Sequence, residues 1–104
     1  MTDDDLVNAL RDCYDTRQQR NIVDLGLIQS AALTLDTEAP GATVRGLPPR
    51  YIARITLHAP GSDETRNAQL RAQIENRLAG LQNISRTEIE MLPALFPILG
   101  GGRP

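Results

Sequence analysis

The chain has no tryptophan, one phenylalanine, two tyrosines, one histidine and one cysteine among its 104 residues. It has no lysine either, since all 11 basic side chains are arginine. With 3% aromatic residues, any core must come from Leu, Ile and Ala instead of rings. A lone Cys13 excludes an intramolecular disulfide framework and any Cys-rich zinc or iron–sulfur motif held within one chain. No apolar run approaches the ~20 residues of a membrane span. The acidic start Met1-Thr2-Asp3-Asp4-Asp5 is the opposite of a signal peptide's basic leader. A formal charge of −2 gives nucleic acid and anionic lipid no electrostatic reason to bind. The expectation is a cytoplasmic chain that uses neither a membrane nor nucleic acid.

What is present suffices for one small domain. Hydrophobic residues make up 40% of the chain, an ordinary globular share. At this length roughly two-thirds of the unfolded surface can be buried, so stability is modest. An all-arginine set of cations favours bidentate carboxylate pairs over loose ones.

Local pattern gives the order α-β-β-α-β. Residues 3–14 read as a helix, with Thr2 as N-cap, three Asp in the first turn, and Leu6, Val7, Leu10 and Tyr14 at helical spacing. The polar stretch from Asp15 to Asn21 ends it. Then comes Ile22-Val23-Asp24-Leu25-Gly26-Leu27-Ile28, a dense apolar run with one acid and one glycine. Residues 29–36 alternate as a strand, with Ala31, Leu33 and Leu35 on one side and Ser30, Thr34 and Asp36 mostly on the other. The Pro- and Gly-rich stretch 37–49 is a loop. Residues 51–58 alternate again, Ala53, Ile55 and Leu57 against Arg54, Thr56 and His58, so the two strands pair as an antiparallel hairpin. Ser62 reads as the N-cap of a helix over 63–79, whose Leu70, Ile74, Leu78 and Leu81 form one stripe. A last strand spans 84–92, with Ile89 and Met91 inward and Arg86, Glu88 and Glu90 outward. A sheet with one polar face carries helices on its other face only. The expected fold is therefore a two-layer α+β sandwich over residues 1–93. A tail follows over 94–104, whose Leu95, Phe96, Ile98 and Leu99 are expected to cover a sheet edge or a second subunit of a homodimer.

Asp15 after the first helix, the Ile22–Ile28 run, and Thr56-Leu57-His58-Ala59-Pro60-Gly61-Ser62 leading into a helix resemble the SufT/PaaD-like iron–sulfur cluster assembly accessory family. The likeness covers roughly residues 5–93. The resemblance implies an iron–sulfur-assembly-domain-like fold and a non-enzymatic factor that contacts iron–sulfur client or carrier proteins. The chain departs from the family at three places. Asp15 is followed by Thr16-Arg17 where the family shows Pro-Glu, His58 replaces a Thr, and Ser62 stands where the family has its reactive Cys. A hydroxyl is a far poorer ligand than a thiolate for a metal–sulfur centre, so no stably bound cofactor is expected.

The functional pocket expected from these residues comprises Asp15, Asp24, Thr56, His58 and Ser62. Each has a plainer role beside the functional one. Ser62 can cap the second helix. Asp24 can accept backbone N–H bonds around the Leu25-Gly26 bend. Asp15 can sit in a turn, and His58 can be a surface strand residue. Cys13 reads as a small buried hydrophobe. A Ser62/His58/Asp24 hydrolase triad can be written down, but no nucleophile-elbow pattern supports it. Two functions from different classes remain. One is an assembly factor that works by protein contact; the other is a structural interaction module without metal chemistry.

Overall fold

The computed structural model describes residues 1–39, 41 and 44–94. Seven elements follow one another: α1 (Asp3–Leu10), β1 (Tyr14–Asp15), β2 (Arg20–Asn21), β3 (Ile28–Leu35), β4 (Tyr51–His58), α2 (Glu64–Ala79) and β5 (Ile84–Leu92). The main sheet has the order β3-β4-β5, and β1 and β2 form a separate antiparallel pair. β3 and β4 make the expected antiparallel hairpin, while β4 and β5 run parallel, joined through α2. Both helices pack on one sheet face, so the fold is a small α+β sandwich. Its core joins Leu6 and Leu10 of α1, Leu70, Ile74 and Leu78 of α2, and Ala53, Ile55 and Leu57 of β4. Among the described residues no helix is long and apolar enough to cross a membrane. The expected covering role of Leu95, Phe96, Ile98 and Leu99 lies outside the described residues.

The first helix is shorter than its pattern suggests. It starts as expected, with a capping box in which Thr2 Oγ accepts from Asp5 N and Asp5 Oδ2 accepts from Thr2 N. It stops at Leu10 instead of residue 14 because Tyr14 has better partners elsewhere. Tyr14 pairs with Asn21 across β1–β2. On the other side the Gln73 amide of α2 acts as a one-residue strand, accepting from Tyr14 N at 2.7 Å and donating to Tyr14 O at 3.0 Å. The polar stretch that closes the helical pattern is thus the tip of a small hairpin. Its four-residue loop closes through Gln19 N donating to Asp15 O at 2.7 Å, with Gln19 at φ 56°.

The Ile22–Leu27 run is one helical turn with both ends sealed. Asn21 Oδ1 accepts from Asp24 N at 2.8 Å, and Asn21 Nδ2 donates to Asp24 Oδ2 at 2.9 Å, a reciprocal N-terminal lock. At the other end Leu27 N donates to Ile22 O and Gly26 N to Val23 O, with Gly26 at φ 74°. That is a Schellman ending, and its apolar clasp is Ile22 against Leu27, both buried in the core.

Two further strand details depart from the alternation. Leu35 shares the face of Ala31 and Leu33 but lies at the strand end beyond the core, and it is exposed. Asp36, expected outward, is buried because its carboxylate is tied down: Ser85 Oγ donates to Oδ2 at 2.5 Å and Glu38 N to Oδ1 at 3.0 Å. On the outer face Ile52 is buried too, outside the main core cluster, so that face is not polar along its whole length.

Gln19 and Gly26, both left-handed, make opposite predictions. Gln19→Gly removes a strain of about 1 kcal/mol at a position that costs L-residues, and it should raise Tm by several degrees. Gly26→Ala meets no steric neighbour within 4 Å, so only backbone strain acts, and Tm should fall by a similar amount. Paired thermal melts of the two variants check both signs.

Candidate functional site

Asp15 is the centre of the region that the sequence singled out. It is 2% exposed, at the end of β1. Arg66, on the first turn of α2, meets it with a two-pronged ion pair: Nε donates to Oδ1 at 2.7 Å and Nη2 donates to Oδ2. Gln18 N adds a third donor at 3.2 Å. The Arg66 bonds, followed by the loop amide, hold the Asp15 carboxyl below the usual carboxylate range against the opposing effect of burial. The Arg66 guanidinium lies close to the Gly61 backbone, and a Cβ there would stand 3.1 Å from Nη1. The Pro60-Gly61 step before the helix therefore has a packing reason as well as a turn-forming one.

Ser62 is not the cap of α2. Asp63 is, its Oδ1 accepting from Thr65 N at 3.0 Å and Arg66 N at 3.3 Å. Ser62 sits one residue outside the helix and is exposed. The next acid along satisfies the same orphan amides with a full negative charge, which the helix dipole favours further.

Asp24 also differs from its expected role. Its carboxylate takes no part in the backbone bend; it accepts from Asn21 Nδ2 and from Arg11 Nη1 at 2.7 Å, and it is exposed. These two partners, Asn21 first, keep its carboxyl below the ordinary range. Arg77 meets Asp12 at 2.9 Å in the same manner. Three arginines of the two helices are thus engaged with three acids of the segment from α1 to the capped turn.

Thr56 and His58 lie elsewhere. They alternate with core-facing Ile55 and Leu57, which puts them on the outer face of β4, opposite the helices to which Asp15 and Asp24 are bonded. Thr56 lines a shallow hollow of about 210 Å³ with Arg54, Glu88 and Glu90. Around it Arg54 bonds Glu88 at 3.1 Å, and Arg86 bonds the same carboxylate at 3.1 Å. His58 Nδ1 is 3.0 Å from Pro93 O. A carbonyl only accepts, so Nδ1 is the donor in this contact. The five residues are consequently distributed over both faces of the sheet. Asp15 and Ser62 flank the start of α2, Asp24 belongs to the capped turn, and Thr56 and His58 stand on the outer face.

The donor chemistry does not fit an iron–sulfur cluster. Burial pushes the Cys13 thiol up to about 11, and the nearby Arg77 only partly offsets this, so it stays protonated and inside the core. Among the described residues no three His, Cys, Asp or Glu side chains gather where they could hold a metal ion. Arg66 and Gln73, which position this region, carried no visible signal in the sequence beyond the all-arginine bias.

Removing the Asp15 carboxylate strands a guanidinium that is only 11% exposed. Asp15→Ala should cost roughly 3 kcal/mol, the low end for breaking a buried pair because Arg66 can still turn one edge to water. Because the folded-state value is lowered, the pair's stabilisation is complete above the unfolded-state value of about 3.9 and is lost as pH falls through the folded-state value. Denaturant melts at neutral pH and in the acid range should therefore show the unmodified chain and the variant converging below about pH 4.

No family model, curated protein or solved structure matches the chain.

Proposed function

We propose that the chain is an accessory factor in iron–sulfur cluster assembly or in the maturation of iron–sulfur proteins. It acts by contact with client or carrier proteins, without catalysing a reaction and without a stably bound cofactor. The iron–sulfur client comes from the resemblance to SufT/PaaD-like proteins. The contact mode is carried by one observation: Asp15 and Asp24 are each engaged by an arginine of the same chain. Carboxylates held this way are poor recruits for a metal. The exposed Leu35, Val44 and Leu47, at or just after the end of β3, offer apolar contact area of the kind that interfaces use.

A second reading has its own support. Asp24 is fully accounted for by Asn21 and Arg11, which is what a structural interaction module without metal chemistry would show. Asp24→Ala separates the two readings. As an assembly factor, the folded variant loses the ability to sustain activity of iron–sulfur enzymes in cells lacking the native gene. As a plain module, it loses only some stability and still complements. Anaerobic treatment of the purified chain with iron and sulfide should leave it colourless, measured by visible absorbance and iron content. A stoichiometric cluster that disappears in Cys13→Ser would overturn the contact mode.

A further inference from the structure

The open edge of β5 carries an inference that goes beyond that function. β5 is nine residues long and, among the described residues, has a neighbour in the main sheet on one side only. The opposite edge, β3, is partly closed, since Asp3 Oδ1 accepts from Leu33 N at 3.0 Å. On β5, Leu92 O accepts from Ala59 N of the chain just past β4, so the even-numbered residues turn their backbone groups toward β4. Thr87, Ile89 and Met91 therefore aim N–H and C=O outward; Ser85 does not, because the register shift there, with Tyr51 N donating to Asn83 O, turns its N–H toward β4. Arg71 of α2 reaches the Ile89 carbonyl at 3.2 Å, which leaves the second lone pair of that oxygen for another donor. Alongside Ile84–Thr87 a hollow of about 370 Å³ separates the strand from Glu75 and Ala79 of α2, so the helix does not roof that stretch. The strand contains neither proline nor lysine, and its register shift lies at the Ile84–Arg86 end, outside Thr87–Met91.

The charges on the outer face select the occupant. An antiparallel two-fold pairing that places Thr87 opposite Ile89 of a second copy puts both residues in hydrogen-bonded positions on each side of the axis. The same register sets Arg86 against Glu90 twice, and Glu88 against its symmetry mate. Each Glu88 is already bracketed by Arg54 and Arg86 at 3.1 Å, so that central contact is compensated within its own chain. We infer that two copies of this chain join through their β5 edges into one continuous six-stranded sheet, Arg86 of each lying opposite Glu90 of the other. Cross-strand pairs of opposite sign stabilise this register, and like charges there oppose it.

The test is the oligomeric state of the full 104-residue chain across a concentration series, by sedimentation or light scattering. The unmodified chain should dimerise. Arg86→Glu alone and Glu90→Arg alone should each weaken the dimer about tenfold or more, since two like-charge contacts replace two attractive ones. An equimolar mixture of those two variants should form a heterodimer of nearly unmodified affinity, because both contacts between positions 86 and 90 again join a Glu to an Arg. Thr87→Pro removes an outward N–H and should leave a monomer, with circular dichroism checking its fold; should it unfold, the mixture decides. A chain that is monomeric throughout overturns the inference. So does a dimer that ignores the charge reversals, or variants that fail to rescue one another.

Discussion

The Asp15–Arg66 ion pair ties together parts of the chain that sequence distance keeps apart. It joins a two-residue strand to the first turn of a helix 51 residues later, at a point where neither charge has water enough to be satisfied alone. A surface pair of this kind would contribute little, because solvent screens it and side-chain order costs entropy. Inside, the balance differs. The pair adds little or nothing over a well-packed apolar substitute, yet once one partner is present the other is obligatory. The planar fork also fixes direction: bonds through both Nε and Nη2 let the helix start approach the hairpin in one orientation only. Gln73, two turns further along α2, repeats the contact with neutral groups by bonding both backbone atoms of Tyr14. Together they explain why a two-stranded hairpin, which would not persist alone in water, is held in place.

That dependence also explains which parts of the fold were legible in the sequence. The last two strands and the second helix are local in origin: β-alternation in Tyr51–His58 and Ile84–Leu92, and the Leu70, Ile74, Leu78 stripe, declare themselves within a window of a dozen residues. The hairpin does not. Tyr14 has helical spacing from Leu10 and would extend α1 on local grounds, but its backbone N–H and C=O both bond the side chain of Gln73, while its pairing with Asn21 is secured by Ile22 N donating to Cys13 O. A pattern argument has no access to a partner 59 residues away. Ser62 and Asp63 show the same limit at shorter range. Both are good caps, and which one the helix uses depends on where Arg66 must stand to reach Asp15.

The candidate site shows the distinction between recognising a segment and knowing its role. Ile22–Ile28 was the most distinctive stretch of the chain, and its Asp and Gly both invite a functional reading. In place, Gly26 supplies a left-handed helix ending and Asp24 closes the turn's beginning through Asn21. These are the tasks that the residue types perform best on physical grounds alone, and they would be required at this turn whatever the protein does. Thr56 joins them through the family resemblance, and His58 through its place at a strand end beside the Pro60-Gly61 step. Alternation along β4 then sends them to the other side of the sheet from Asp15 and Asp24.

The all-arginine composition takes on a structural meaning here. Among the described residues, five arginine–carboxylate bridges are formed by Arg11, Arg54, Arg66, Arg77 and Arg86, and two further arginines, Arg50 and Arg71, donate to backbone oxygens of β5. A lysine could satisfy one acceptor at each place but could not bridge Asp15 through two parallel bonds, nor hold a fixed plane against a strand. With almost no aromatic mass to lock its core, the domain uses planar cations to set the relative positions of its elements. The same cations leave the outer sheet face with paired charges whose sequence along β5 runs positive, negative, negative. A strand with that order is complementary to its own reverse at the outer positions and compensated at the centre. An arrangement that fastens one chain internally thereby also determines which partner its open edge can accept.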